Sequence, residues 1–142
     1  MGRGKGRAPR GLAPGIIWVI GDKPRAIWYG IMRYEMDNQI SGDPILSRFR
    51  AALIQTYGDR LERAVLYGSR ARGDNRPDSD YDIAVFLREP DGWLNEVNRL
   101  ADLGTDILLD TGAVISATPF PAGAYRERTG FMHELRKDGL DL

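Results

Sequence analysis

The 142-residue chain is 42% hydrophobic with a formal net charge of zero, enough apolar material for one ordinary globular domain and unlike a wholly disordered or collagen-like chain. It has no cysteine and a single histidine, His133, which excludes a disulfide framework, a zinc site and a Cys-His catalytic pair. No apolar run reaches the roughly 18 residues of a membrane-spanning helix, and no secretory leader is legible, so the expected setting is the cytoplasm without a membrane partner.

The neutral total hides an asymmetry. Residues 1–35 hold seven Lys or Arg against two acids, a net of +5, and the remainder carries −5. The opening Gly/Arg/Pro-rich stretch buries too little apolar surface to offset the entropy of ordering. Residues 16–20 are strand-like, but Gly21, Pro24 and Gly30 interrupt any longer element. Residues 1–35 are therefore expected to be a disordered basic extension, or a mis-assigned start upstream of Met32 or Met36, with a functional domain over 36–142. As a functional arm the basic segment would bind nucleic-acid phosphates weakly and without sequence preference; nucleic acid is not otherwise an expected partner.

Asp43-Pro44 reads as an N-cap with proline at the first helical position, and Ile45, Leu46, Phe49, Ala52, Leu53 and Tyr57 recur at helical spacing until Gly58. Residues 64–67 and 83–87 are short apolar, β-prone runs. Trp93, Leu94, Val97, Leu100, Ala101, Leu103, Ile107 and Leu108 predict a second amphipathic helix ending near Gly112. Residues 114–118 predict a third strand closed by Pro119 and Pro121, and 122–138 a final helix broken or kinked near Gly130. The order α-β-α-β-α-β-α implies an α/β (α+β) fold, a small mixed β-sheet with helices mainly on one face. Trp18, Trp28, Tyr29, Trp93 and Tyr125 are read as core residues rather than base-stacking ones.

The chemistry is concentrated in Gly68-Ser69-Arg70-Ala71-Arg72-Gly73 and Ser79-Asp80-Tyr81-Asp82, set between two strands. Gly68 lets the backbone leave the first strand sharply, and Ser69 brings a hydroxyl and an amide to the start of a short helix, groups suited to phosphate. Strand alternation puts Asp80 and Asp82 on one face and Tyr81 on the other. Two hard-oxygen ligands suit Mg²⁺, which keeps waters and is completed by substrate phosphates. Arg70 and Arg72 are candidate triphosphate contacts; Arg76 reads as a solvated loop charge. The embedded tripeptide Arg72-Gly73-Asp74 lies wholly within this longer pattern and is given no separate role.

Gly-Ser, a variable residue, Ala-Arg-Gly, then Ser-Asp, a variable residue and Asp before an apolar strand resembles the minimal nucleotidyltransferases of the DNA polymerase β superfamily, with the likeness extending over residues 43–142. The resemblance implies a polymerase-β-like fold in which Gly68 and Ser69 hold the β- and γ-phosphates of ATP while Asp80 and Asp82 hold Mg²⁺. It further implies transfer of AMP to a hydroxyl, with a protein acceptor in the antitoxin members that pair with a HEPN-type toxin. A small-molecule enzyme resembling the aminoglycoside nucleotidyltransferases, and a decayed nucleotide- or partner-binding module, are the alternatives. One departure matters: the family's third carboxylate, on a later strand, is not found. The third strand offers Ser116 where that acid is expected, and Asp106 and Asp110 fall on the preceding helix, where they read as solvated charges.

Overall fold

The computed structural model describes residues 42–142, so the expectations for residues 1–35, including the alternative start sites, lie outside the described residues. Helix α1 (Pro44–Tyr57) begins as the sequence predicts: Asp43 is its N-cap, and Oδ1 accepts from the amides of Ile45 and Leu46 at 2.8 and 3.3 Å. Leu46, Phe49, Leu53 and Tyr57 form its buried stripe, and Gly58 is its C-cap. A single 3₁₀ turn (Gly58–Arg60) then leads into strand β1 (Leu61–Tyr67).

Helix α2 is one turn (Ser69–Arg72), followed by β2 (Tyr81–Leu87), the long helix α3 (Trp93–Thr111) and β3 (Ile115–Pro121). A second 3₁₀ turn (Ala124–Arg126), helix α4 (Gly130–Asp138) and a two-residue strand β4 (Leu140–Asp141) complete the described chain. The sheet order is β3-β2-β1-β4, with β1 antiparallel to β2 and β4 and with β2 parallel to β3. Helices α1, α2 and α3 pack on one face through Phe49, Leu53, Ala71, Leu100 and Ile107 against Leu66, Ile83 and Val85. The opposite face carries α4 and the second 3₁₀ turn, where Met132, Leu135 and Ala124 meet Val65, Ala84 and Phe86. Each fully buried Leu, Ile or Phe contributes about 1.5–3 kcal/mol.

Three features of the C-terminal part have local causes. Pro119 lies inside β3 and Pro121 is its last residue, so only the second closes the strand; β3 admits both because it is an edge strand. The Ala122 amide bonds Leu87 O at 2.7 Å, so even-numbered amides face β2, and the missing N–H groups of both prolines fall on the open side. The break expected near Gly130 is present: Thr129, accepting from the Met132 amide at 3.2 Å, caps a new helix at Gly130, and only a 3₁₀ turn precedes it. Finally, Gly139 lets the chain turn from α4 onto β1, since a Cβ there would lie 2.3 Å from Leu135 O and 2.5 Å from Val65 Cγ1.

Helix α3 is less regular in burial than its apolar spacing suggests: Trp93 and Leu94 are exposed, whereas Glu96 is fully buried. Glu96 Oε1 accepts from Arg60 at 2.7 Å and from the Asp91 amide at 2.8 Å, and Oε2 accepts from Arg99 at 3.0 Å. Burial alone would raise its pKa, but the Asp91 amide, Arg60, the neighbouring Tyr57 and Arg99 together lower it. The Tyr57 hydroxyl is buried beside this carboxylate outside good hydrogen-bond geometry, and burial, then Glu96, pushes its pKa up. The cluster ties the first turn of α3 to the segment entering β1. No helix among the described residues is long and apolar enough to cross a membrane.

Candidate active site

At the end of β1 the backbone turns at Gly68, with φ 75° and ψ −155°, into the single turn of α2. Ala71 is buried in the core and anchors that turn, and Gly73, in the left-handed region, closes it. The glycine is demanded twice. Its backbone region is almost closed to other residues, and a Cβ at this position would lie 2.6 Å from Asp82 Oδ2. The turn and the carboxylate are therefore packed against each other, joining the two halves of the sequence motif in space.

The side chains on this face form a grid. Tyr67 pairs in register with Asp82, and Val65 with Ala84, across β1 and β2. On the other side Asp82 pairs with Ser116, Ala84 with Thr118 and Phe86 with Phe120, across β2 and β3. Tyr67 reaches across β2 to interact with Thr118, and burial followed by the nearby charge of Asp82 raises its pKa. Asp80 lies just before β2. Burial, then the like charge of Asp80, raises the pKa of Asp82, and Arg72 opposes the rise. Two mutually repelling carboxylates beside a cradle that a Cβ would fill have the donor chemistry of a divalent-cation site.

On the opposite face Tyr81 is held from both ends. Its hydroxyl donates to Asp43 Oδ2 at 2.9 Å, and the Arg70 guanidinium stacks 3.9 Å from its ring centroid. Arg70 also donates from Nε to Ser79 O at 2.8 Å and from a terminal nitrogen to Pro77 O at 3.3 Å. Ser79 Oγ accepts from the Arg76 amide at 2.8 Å. These contacts fix the loop that delivers Asp80 and Asp82 and link it to the N-cap of α1.

Residues 51–117 match the family model described as Polymerase beta, Nucleotidyltransferase. The matched segment contains both halves of the motif, Gly68–Gly73 and Ser79–Asp82. A Methanocaldococcus jannaschii protein named "Putative protein adenylyltransferase MJ0141" is 26% identical over 98 residues, covering 69% of this chain and 95% of that one. A second from the same organism, "Putative protein adenylyltransferase MJ0604", is 36% identical over 72 residues, 51% of this chain and 66% of that one. Among solved structures, a "toxin-antitoxin with AMP-PNP" is similar with a TM-score of 0.45 and 18% identity, covering 66% of this chain and 68% of that chain.

Within this matched segment, Gly68, Ser69, Asp80, Asp82 and Arg72 gather at one end of the sheet. Arg72 is half-exposed, 3.4 Å from Asp74, with its charge felt by Asp82. Arg70 is turned away, toward Tyr81 on the other face. Ser116 occupies the β3 position that shares both face and register with Asp82. Asp106 and Asp110 are exposed on α3, on the far side of the sheet, and Asp110 pairs with Arg48 at 2.5 Å. Among the described residues no group of three or more His, Cys, Asp or Glu is placed to hold a metal. Tyr125 packs edge-on to Phe86 and under Arg63, as a core aromatic does. The sequence left Tyr67 and Tyr81 without roles and passed over Thr118 and Phe131; alternation from Asp82 through Ser116 was the signal that leads to Thr118.

Proposed function

We propose that the domain transfers AMP from ATP to a hydroxyl on a protein acceptor, releasing pyrophosphate, in a Mg²⁺-dependent reaction. The observation that carries this reading is the close packing of the Gly68 turn on Asp82, with Asp80 beside it. The naming of both relatives as protein adenylyltransferases supports a protein acceptor. Asp80 and Asp82 are the residues that would hold Mg²⁺. The bound ion would supply charge neutralisation, offsetting the repulsion of the pair and the charge of the triphosphate.

Gly68, Ser69 and Arg72 would orient the β- and γ-phosphates and stabilise the charge that develops on the leaving pyrophosphate. The acceptor oxygen attacks the α-phosphorus, the bond to the bridging oxygen breaks, the hydroxyl proton passes to solvent, and pyrophosphate departs. Arg70 acts behind the site, holding the carboxylate loop. The acceptor in this reading is a partner toxin of the HEPN type in the cytoplasm. A second reading, a nucleotide-binding module without turnover, is favoured by Ser116, which leaves β3 without a carboxylate beside Asp82.

The test is to incubate the full chain with labelled ATP, Mg²⁺ and the product of the neighbouring gene, and to locate added AMP by mass spectrometry. AMP on the partner, absent with the Asp80→Asn, Asp82→Asn variant, is the expected result. Metal-dependent ATP binding without transfer would favour the binding module or a small-molecule acceptor. Equal transfer by the double variant would refute the assignment.

A further inference from the structure

We infer that Phe131 is the stacking platform for the base of the bound nucleotide, an inference that rests on the nucleotide site proposed above. Phe131 is the second residue of α4 and is 41% exposed. The more exposed Trp93 and Leu94, and the exposed Ile54, Leu108 and Leu109, belong to α1 and α3 on the other face of the sheet. Phe131 is thus an exposed aromatic ring on the side of Asp82.

Its position is fixed by other rings. The Tyr67 ring meets it edge-on, with centroids 5.4 Å apart at 89°, and Phe120 stacks beneath it at 5.6 Å and 25°. Phe120 in turn stacks on Phe86 at 5.4 Å. A single exposed phenylalanine is ordinary on a protein surface. This one is built into a ladder of rings whose near end, Tyr67, is the register partner of Asp82. Cross-strand partners hold their Cβ atoms about 5 Å apart, and the Tyr67 ring meets Phe131, so Tyr67 alone stands between Phe131 and the carboxylate. A ribose and one phosphate are long enough to pass one side chain. A nucleotide whose phosphates rest on the Gly68 turn therefore has its base in reach of the outer face of Phe131.

Every nucleobase has a π-face, so stacking predicts tight binding with weak base preference. It separates cleanly from phosphate binding. In the full chain with Mg²⁺, dissociation constants for ATP, GTP and inorganic tripolyphosphate are measured by calorimetry for the parent, Phe131→Ala, Phe131→Leu and Asp80→Asn, Asp82→Asn.

The parent is expected to bind ATP and GTP within about threefold of each other and tripolyphosphate about tenfold or more weakly. Phe131→Ala should lose about tenfold for both nucleotides and leave tripolyphosphate unchanged. Phe131→Leu keeps apolar contact with Phe120 and removes the ring, so it should show the same selective loss even if the alanine variant folds poorly. Unchanged nucleotide affinity in Phe131→Leu, or a parent that binds tripolyphosphate as tightly as ATP, overturns the platform while leaving the phosphate site standing. If the parent binds neither ligand, or binding survives in Asp80→Asn, Asp82→Asn, the nucleotide site itself fails and the platform falls with it.

Discussion

Replacing Gly68 with alanine tests the junction of the two motif halves. Two costs are readable from the geometry. With φ 75° and ψ −155°, alanine at this position enters a region that is nearly glycine-only, costing about 1–3 kcal/mol. The new Cβ would also start 2.6 Å from Asp82 Oδ2, and restoring ordinary contact moves the carboxylate by about 1 Å. A loss near 2 kcal/mol lowers Tm by about 10 °C in a folded unit of about 100 residues. A displacement of about 1 Å at the reacting centre costs about 100-fold in rate. The assay is paired: thermal and urea unfolding for stability, and Mg²⁺-dependent ATP binding with AMP transfer for function. The cycle of Gly68→Ala, Asp82→Ala and the double variant divides the two costs, because removing the carboxylate relieves the contact and leaves the backbone strain. The stability cost of Gly68→Ala should therefore shrink, without vanishing, in the Asp82→Ala background. Full retention of stability and activity by Gly68→Ala would refute the reasoning, and strict additivity in the cycle would refute the contact.

Glu96→Gln should destabilise the fold by about 2–3 kcal/mol at neutral pH, less than a fully enclosed ion pair because Arg60 and Arg99 still reach solvent. Glu96 has a folded-state pKa held below its unfolded value, so its stabilisation is complete above the ordinary glutamate range and is lost as pH falls through the folded value. Urea unfolding from neutral pH down through that acid range should be flatter for Glu96→Gln than for the parent, and parallel curves would contradict this. Ser116→Asp restores a carboxylate beside Asp82; without metal it should lower stability by about 0.5–1 kcal/mol through like-charge repulsion, and Mg²⁺ should reverse the order of the two proteins. Melting with and without Mg²⁺ reads this directly, and no metal-dependent gain over the parent would speak against cation binding by the pair.

Features governed by neighbours in sequence were the legible ones. Asp43-Pro44 and Gly58 bound α1 through cap chemistry that four or five residues decide. The Gly68 turn and the Asp82 strand were visible for the same reason, since glycine and strand alternation are local. Pro119 misled because an edge strand is defined by what fails to pair with it, which no short window records. Arg70 reads in sequence as a phosphate ligand, yet the loop that returns at Pro77 and Ser79 captures it for the opposite face. Glu96 had a visible signal: it stands on the stripe of Leu100 and Ile107, and a charge in an apolar stripe calls for partners. Its partner Arg60 is 36 residues away. Phe131 stayed hidden because its significance comes from Tyr67 and Phe120, contributed by two different strands.

The topology explains why the chemistry collects where it does. Strand β2 pairs antiparallel with β1 and parallel with β3, so the end of β1, the start of β2 and the start of β3 meet at one edge of the sheet. Gly68, Asp82 and Ser116 are the residues those three strands bring there. Any group added to the site from within the sheet must come through one of these positions, and β3 contributes a hydroxyl rather than a carboxylate. A serine keeps a third negative charge away from a pair in which burial and Asp80 already disfavour ionisation of Asp82. The same choice leaves β3 with no base to take a proton from an attacking hydroxyl. Under the proposed reaction, turnover then depends on the acceptor: its own surface must orient the hydroxyl and provide the proton's path, and rate should vary between acceptors far more than ATP affinity does.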